Sequence, residues 1–221
     1  MIDKLKRYLA KKPNISFAKS GDDIQLMMLI NEKTPGTYVD IGCWHPKQAS
    51  NTYFFYLRNW KGICIDPNPG LVELYKKIRP NDHFINAGIG ASSESLDYYM
   101  FKESSMNTFS EDFYEKYKIH SPLVKKVKIP LVSLKEVLDK KLDKNDRLDF
   151  FDIDVEGYDL EVLKTNDWEK YRPKIIIIES DIPLKEDLDS AVAHYLALQN
   201  YRLIGKSIIH DDLGNLFFIS N

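Results

Sequence analysis

Three carboxylates lie at alternate positions in the stretch FDIDVEG: Asp152, Asp154 and Glu156, interleaved with Phe151, Ile153 and Val155. In an extended chain the acids share one face and the apolar residues the other. Burying three unpaired carboxylates inside a sheet is costly. At the carboxyl tip of a strand they would instead face the crevice where open α/β sheets bind ligands. The next apolar run, KIIIIESD, ends in Glu179 and Asp181, so acids from two neighbouring strand tips could converge. Such a set can take a proton from a hydroxyl, orient a polar substrate, or hold a hard cation such as Mg²⁺ or Ca²⁺. An orienting cluster is favoured over a divalent metal, and no residue is assigned as a metal ligand. Glu156 also suits a tight turn with Gly157, accepting amides at the start of the next helix.

A second constellation precedes this one. VDIG ends an apolar run at Gly42, as a sharp turn beside a closely approaching ligand requires. Asp40 is placed to orient a ligand's amine, and Cys43 follows in the turn. ICIDPNP ends a second run at Asp66, with Pro67 behind it; a carboxylate there accepts both hydroxyls of an unmodified ribose. INAGIG supplies Ala87 and Gly88, small enough to leave room for a flat adenine. A nicotinamide cofactor could use the same layout. The G-x-G-x-x-G cradle is missing, however, since Gly42 is followed by Cys43, Trp44, His45 and Pro46. A pyrophosphate is poorly served without it, whereas S-adenosylmethionine carries no phosphate.

Chemistry at an alcohol would also need a base to take its proton. His45 follows the cofactor turn directly and has an unperturbed pKa near 6.5; packing against Trp44 or capping the next helix explains it equally well. Asn51 and Thr52 either cap a helix or face the acceptor. Asn107 and Thr108 could hydrogen-bond a polyol, as could Glu179 at its strand tip.

Alternating strands and helices must position these groups. Strands are expected at 37–41, 62–66, 83–87, 148–154 and 174–179, and helices at 51–59, 71–79, 160–165 and 187–199, the last with Leu188, Val192, Tyr195 and Leu196 on one face. This pattern gives a parallel sheet with helices on both faces. Runs at 201–206 and 215–220 are joined by IIHDDLGN, too short for a crossover, so they should pair as an antiparallel hairpin. Residues 1–32 read as an N-terminal helical extension, with pieces at 4–11 and 22–31. Residues 33–221 read as one domain, with an insertion at about 92–146 laid over the carboxyl edge of the sheet.

The 221 residues suffice for that single domain, and a formal charge of −2 gives no general basic footprint for nucleic acid. No apolar run approaches the ~20 residues of a membrane span, and the charged start is no signal peptide. Cys43 and Cys64, without zinc spacing, read as reduced thiols of a cytoplasmic protein. Nothing in the sequence sets an oligomeric state.

With these pieces placed, the chain resembles the FkbM-like family of class I S-adenosylmethionine-dependent methyltransferases. The resemblance runs from about Thr37 to Glu179. It rests on VDIG, SNTYFFYLRNWKGICIDPNPG, MNTFSEDF and FDIDVEGYDLEVLKTNDW, with D-V-E-G the most specific element. It implies a Rossmann-like fold, a mostly parallel seven-stranded doubly wound α/β sheet ending in the antiparallel hairpin. It further implies that Asp40, Gly42 and Asp66 hold S-adenosylmethionine, with Asp152 at the edge of that pocket. Many members carry a second small residue where this chain has Trp44-His45-Pro46. The expected function is an O-methyltransferase acting on a hydroxyl of a sugar or glycan intermediate. The alternatives are an NAD-dependent sugar oxidoreductase and a non-catalytic nucleoside-binding domain.

Overall fold

Apolar runs with no polar face form the middle of a sheet because only a strand covered on both sides can bury them. The computed structural model describes residues 15–31, 34–91, 95–144 and 146–221. Helix α1 (Asp22–Ile30) leads to β1 (Thr37–Ile41), α2 (Tyr53–Tyr56), β2 (Lys61–Ile65), α3 (Val72–Ile78) and β3 (His83–Ile85). Next come β4 (Gly88–Ile89), β5 (Ser95–Phe101), α4 (Glu111–Tyr117), β6 (Leu123–Val132) and α5 (Leu134–Lys141). The chain continues through β7 (Leu148–Ile153), α6 (Asp159–Lys164), β8 (Ile175–Ser180), α7 (Leu184–Asp187), α8 (Ala191–Leu198), β9 (Tyr201–His210) and β10 (Leu213–Ser220).

The main sheet has the order β3-β2-β1-β7-β8-β10-β9, with β10 antiparallel to both neighbours and the other pairs parallel. Alternation along the central strands feeds two cores. Val39, Ile41, Phe151 and Ile153 pack on one face, and Tyr38, Phe150, Ile175 and Ile177 on the other. The second face also carries Asp40 and Asp152, two positions beyond Tyr38 and Phe150. The order reverses between β1 and β7, which places a binding crevice at their carboxyl tips.

The insertion forms a separate three-stranded sheet in which β6 pairs parallel with β4 and antiparallel with β5. Hydrogen bonds that fasten it to the strand tips include Trp44 Nε1 to Ser104 Oγ at 3.0 Å, Thr108 Oγ1 to the Glu156 carbonyl at 2.8 Å, and the Tyr117 hydroxyl to Asp181 Oδ2 at 2.7 Å. Helix α1 is tied to the hairpin through the buried Asp22, which accepts from Ser207 Oγ and from Asn215 Nδ2.

Some expected elements change shape. The helix expected at 51–59 is the single turn α2, stopped where Asn59 takes φ 65°. The helix expected at 187–199 is split. Asp187 is buried in an ion pair with Lys206 at 2.8 Å, and Ser190 caps a new start at the Ala193 amide. Leu196 is buried in that second piece, but Leu188 is 57% exposed, outside the face expected for it. IIHDDLGN is mostly strand, turning only at Asp211 and Asp212. The expected piece at 4–11 lies outside the described residues.

Candidate active site

Gly42 turns the chain at the tip of β1 with φ 79°, and a Cβ there would meet the Asp154 carbonyl oxygen at 1.7 Å. Glycine is therefore required by the passage of the chain leaving β7, and the residue lines both cavities at this turn. Trp44 follows at φ 35°. Its backbone amide donates to Asp66 Oδ2 at 3.1 Å, while the Asn68 amide donates to Asp66 Oδ1 at 2.8 Å. The carboxylate is thus fixed in angle, and each oxygen keeps capacity for a further donor. Burial pushes its pKa up to about 7, opposed by those two amides.

Beside Asp66 lies a cleft of about 490 Å³, with apolar walls from Ile41, Ile65, Pro67, Ile89, Phe109 and Val162. An apolar slot next to a carboxylate that can accept vicinal hydroxyls fits an adenosine. Ala87 lines this cleft. Gly88 serves packing instead: a Cβ there would meet Phe109 Cζ at 2.6 Å and Leu131 at 2.7 Å. Asn107 also lines the adenosine cleft and not the acceptor side; its Oδ1 accepts from the Phe101 amide at 2.8 Å.

A second cavity of about 640 Å³ continues beyond the turn, bordered by Asp40, Cys43, Asn51, Asp152, Asp154 and Glu179. Asp40 and Asp152 are register partners on β1 and β7. Asn51 Nδ2 donates to Asp152 Oδ1 at 3.2 Å. Burial raises the pKa of Asp40 to about 6, with Arg79 opposing it. It raises that of Asp152 well above the carboxylate range, and the Asp40 charge adds to the rise. Two such acids at one cavity favour a cationic ligand, because an incoming positive charge restores both to their ionised form. The amino group and sulfonium of S-adenosylmethionine meet that requirement.

β7 ends at Ile153, and the alternation expected through Glu156 stops there. The Asp154 amide still pairs with the Ile41 carbonyl at 3.0 Å, but Glu156 at φ 53° and Gly157 at φ 84° turn the chain away. Carboxylate oxygens of Asp154, Glu156 and Glu179 nevertheless lie within 4.8 Å of one another. Asp154 Oδ1 is buried with no hydrogen-bond partner among the described residues, so the acids crowd one another without a donor between them. Burial pushes Glu179 up to about 9, and the Asp154 charge adds to the rise. Glu156 is raised well above its usual range, first by burial and then by Asp154. The oxygens offered are those a hard cation would take, and equally those of acids sharing protons.

Two expected site residues stand elsewhere, and a third, Thr108, lines the cleft beside Asp66 as a buried anchor. His45 Nδ1 accepts the amides of Lys47 at 3.1 Å and Gln48 at 2.9 Å, and the residue lines none of the cavities around the site. It caps a turn, and burial followed by Lys47 lowers its pKa. Thr52 is wholly buried beneath Asp40, away from any acceptor. Thr108 is 1% exposed and holds the acidic turn. Sequence reasoning missed Lys19, which borders the acceptor side, and Asp159, whose buried carboxyl sits at about 7. It also missed Arg79, which approaches Asp40 from below. An arginine between a helix and Pro80 reads as surface, and no local pattern marks it as buried.

The doubly wound sheet with its reversed strand, and a crevice that suits adenosine at one end and a cation at the other, define a class I methyltransferase using S-adenosylmethionine. Residues 36–203 match the methyltransferase FkbM domain, and the chain belongs to that family. No curated protein matches it. By shape it is similar to precorrin-6y C5,15-methyltransferase from Geobacter metallireducens GS-15, with TM-score 0.48, 12% identity, and coverage of 89% of this chain and 86% of that one. It is also similar to the Burkholderia thailandensis 1,6-didemethyltoxoflavin-N1-methyltransferase solved with 1,6-didemethyltoxoflavin and S-adenosylhomocysteine, with TM-score 0.46, 11% identity, and coverage of 92% and 78%. Cofactor-bound Rv0187 from MTB gives TM-score 0.49 at 10% identity, covering 100% and 89%. No helix among the described residues is long and apolar enough to cross a membrane.

Proposed function

We propose that the chain is an O-methyltransferase acting on a hydroxyl of a sugar or glycan intermediate. The observation that carries this reading is the close carboxyl pair Asp154 and Glu179, with oxygens within 4.8 Å; both border the cofactor crevice, and Glu179 also borders an open groove of about 1280 Å³. A hydroxyl has a proton to lose as it is methylated. A carboxyl pair this close titrates in two steps, so one member is ionised while the other holds its proton, and the ionised member accepts the hydroxyl proton. In the groove, the Phe113 and Tyr117 rings lie 4.4 Å apart, and Asp159 and Asp181 lie nearby. Aromatic rings for the C–H face and carboxylates for the hydroxyls suit a polyol.

The cofactor supplies an electrophilic methyl group on its sulfonium. Asp66 would fix the ribose, and Asp40 and Asp152 would hold the cationic end, beneath the cap tied by Trp44 and Ser104. Alignment of donor and acceptor then accounts for most of the rate. The test is turnover of methyl-labelled cofactor on a panel of sugars and glycans, with amines and carbon acids alongside. Methylation confined to amine or carbon acceptors would sink the reading. In this mechanism EDTA leaves turnover intact, since the carboxyl pair itself takes the proton.

A further inference from the structure

We infer that Arg79 and Thr52, both buried outside the cleft, position Asp40 for the amino group of the cofactor. Arg79 is 1% exposed, and each of its three nitrogens is engaged. Nε pairs with Asp82 Oδ2 at 2.6 Å, Nη2 donates to the Tyr38 hydroxyl at 2.6 Å, and Nη1 donates to Thr52 Oγ1 at 3.0 Å. Thr52 Oγ1 in turn donates to Asp40 Oδ2. A hydroxyl that accepts from a guanidinium turns its own proton outward, so the direction of this relay is set by Arg79. It leaves the rest of the Asp40 carboxylate for the cavity that the residue borders.

The charges around Asp40 show why such support is needed. Cys64 sits at the same register on β2 and Asp152 on β7, with Asp154 beyond the strand tip and Asp82 behind the helix. Among these neighbours Arg79 is the cation. One oxygen of Asp82 already takes its Nε, and the Tyr38 hydroxyl donates to that same oxygen at 2.9 Å. The guanidinium also donates to the Pro46 carbonyl at 3.4 Å and to Cys64 Sγ at 3.3 Å; its hydrogen-bonded route to Asp40 runs through Thr52.

The inference rests on Asp40 being the partner of the amine, and one experiment separates the two. Binding of S-adenosylhomocysteine and of its analogue lacking the α-amino group is measured by calorimetry in the wild type and in D40N, T52V and T52S. The wild type should prefer the amine by at least about tenfold, the range of a charge-assisted hydrogen bond. D40N should abolish that preference; if it persists, the placement of Asp40 is wrong and the inference falls with it. T52V, nearly isosteric, should lose most of the preference while binding the des-amino analogue within about twofold of wild type. T52S should restore it. Full preference in T52V, or equal weakening of both ligands, overturns the positioning role. Arg79→Lys undergoes the same comparison, because lysine can keep the Asp82 pair but has no fork to reach Thr52; full preference there counts against the relay as well.

Discussion

Asp40 and Asp152 stand directly opposite each other on neighbouring parallel strands, both buried. They belong to a set of acids whose pKa values burial lifts when no ligand is present: Asp40 to about 6, Asp66 and Asp159 to about 7, and Glu179 to about 9. Unfolding returns these groups to 3.8 for aspartate and 4.5 for glutamate. Between those limits the folded state binds more protons than the unfolded one, so stability falls as pH rises. The ligand-free protein should melt at a higher temperature at pH 6 than at pH 8.5, as calorimetric scans would report. A melting temperature that climbs over this interval would contradict the arrangement. Affinity for S-adenosylhomocysteine should run the other way, increasing from pH 5 to 7 as Asp40 and Asp66 ionise.

Asp66 is held by the amides of Trp44 and Asn68 and borders the adenosine cleft. Asp66→Ala removes the acceptors for the ribose and the anchor of the turn. Affinity for S-adenosylhomocysteine should drop by about 10–100-fold, the range of one or two hydrogen bonds to a charged group. Titration calorimetry on the folded variant measures this directly.

Glu179 bears on chemistry more than on cofactor binding. Glu179→Gln removes a carboxyl raised to about 9, the member of the pair that holds its proton near neutral pH. Turnover should fall by about 10²-fold or more in Asp154→Asn, which removes the ionised member and the usual contribution of a general base, and by less in Glu179→Gln. Affinity of the latter for S-adenosylhomocysteine should change little. Because Glu179→Gln relieves repulsion, its melting temperature at pH 8.5 should rise by a few degrees.

His45→Ala separates the capping role from the catalytic one. The variant loses the acceptor for the Lys47 and Gln48 amides and should be destabilised by about 0.5–2 kcal/mol, as for other lost caps. The pH profile of turnover should keep its shape. Disappearance of a limb near pH 6.5 would restore His45 as the base.

Short-range pattern explains what was readable in advance. Runs such as VDI and IIII admit only buried parallel strands, and Asp66 beyond its strand belongs where a ribose lies. That Asp40, Asp152 and Asn51 border the crevice was likewise legible, since they are fixed to strand tips or the turn just after one. Thr52, Thr108 and Gly88 were read from the same local signals, but the structure gives their side chains or backbone packing and anchoring partners. Their neighbours come from distant parts of the chain: Asp40 and Arg79 for Thr52, Glu156 for Thr108, Phe109 and Leu131 for Gly88.

The sequence by itself determined the sheet, the reversed hairpin and the family, because strand burial and turn chemistry are properties of a few adjacent residues. Only the tertiary structure decided the work of individual side chains. It required Gly42 for the passage of Asp154, made His45 a cap and set Arg79 beneath Asp40. It also drew Asp154, Glu156 and Glu179 together after the strand had ended. Each of these outcomes depends on which segments meet across the sheet, and on how strongly that burial shifts the charge of a carboxyl group.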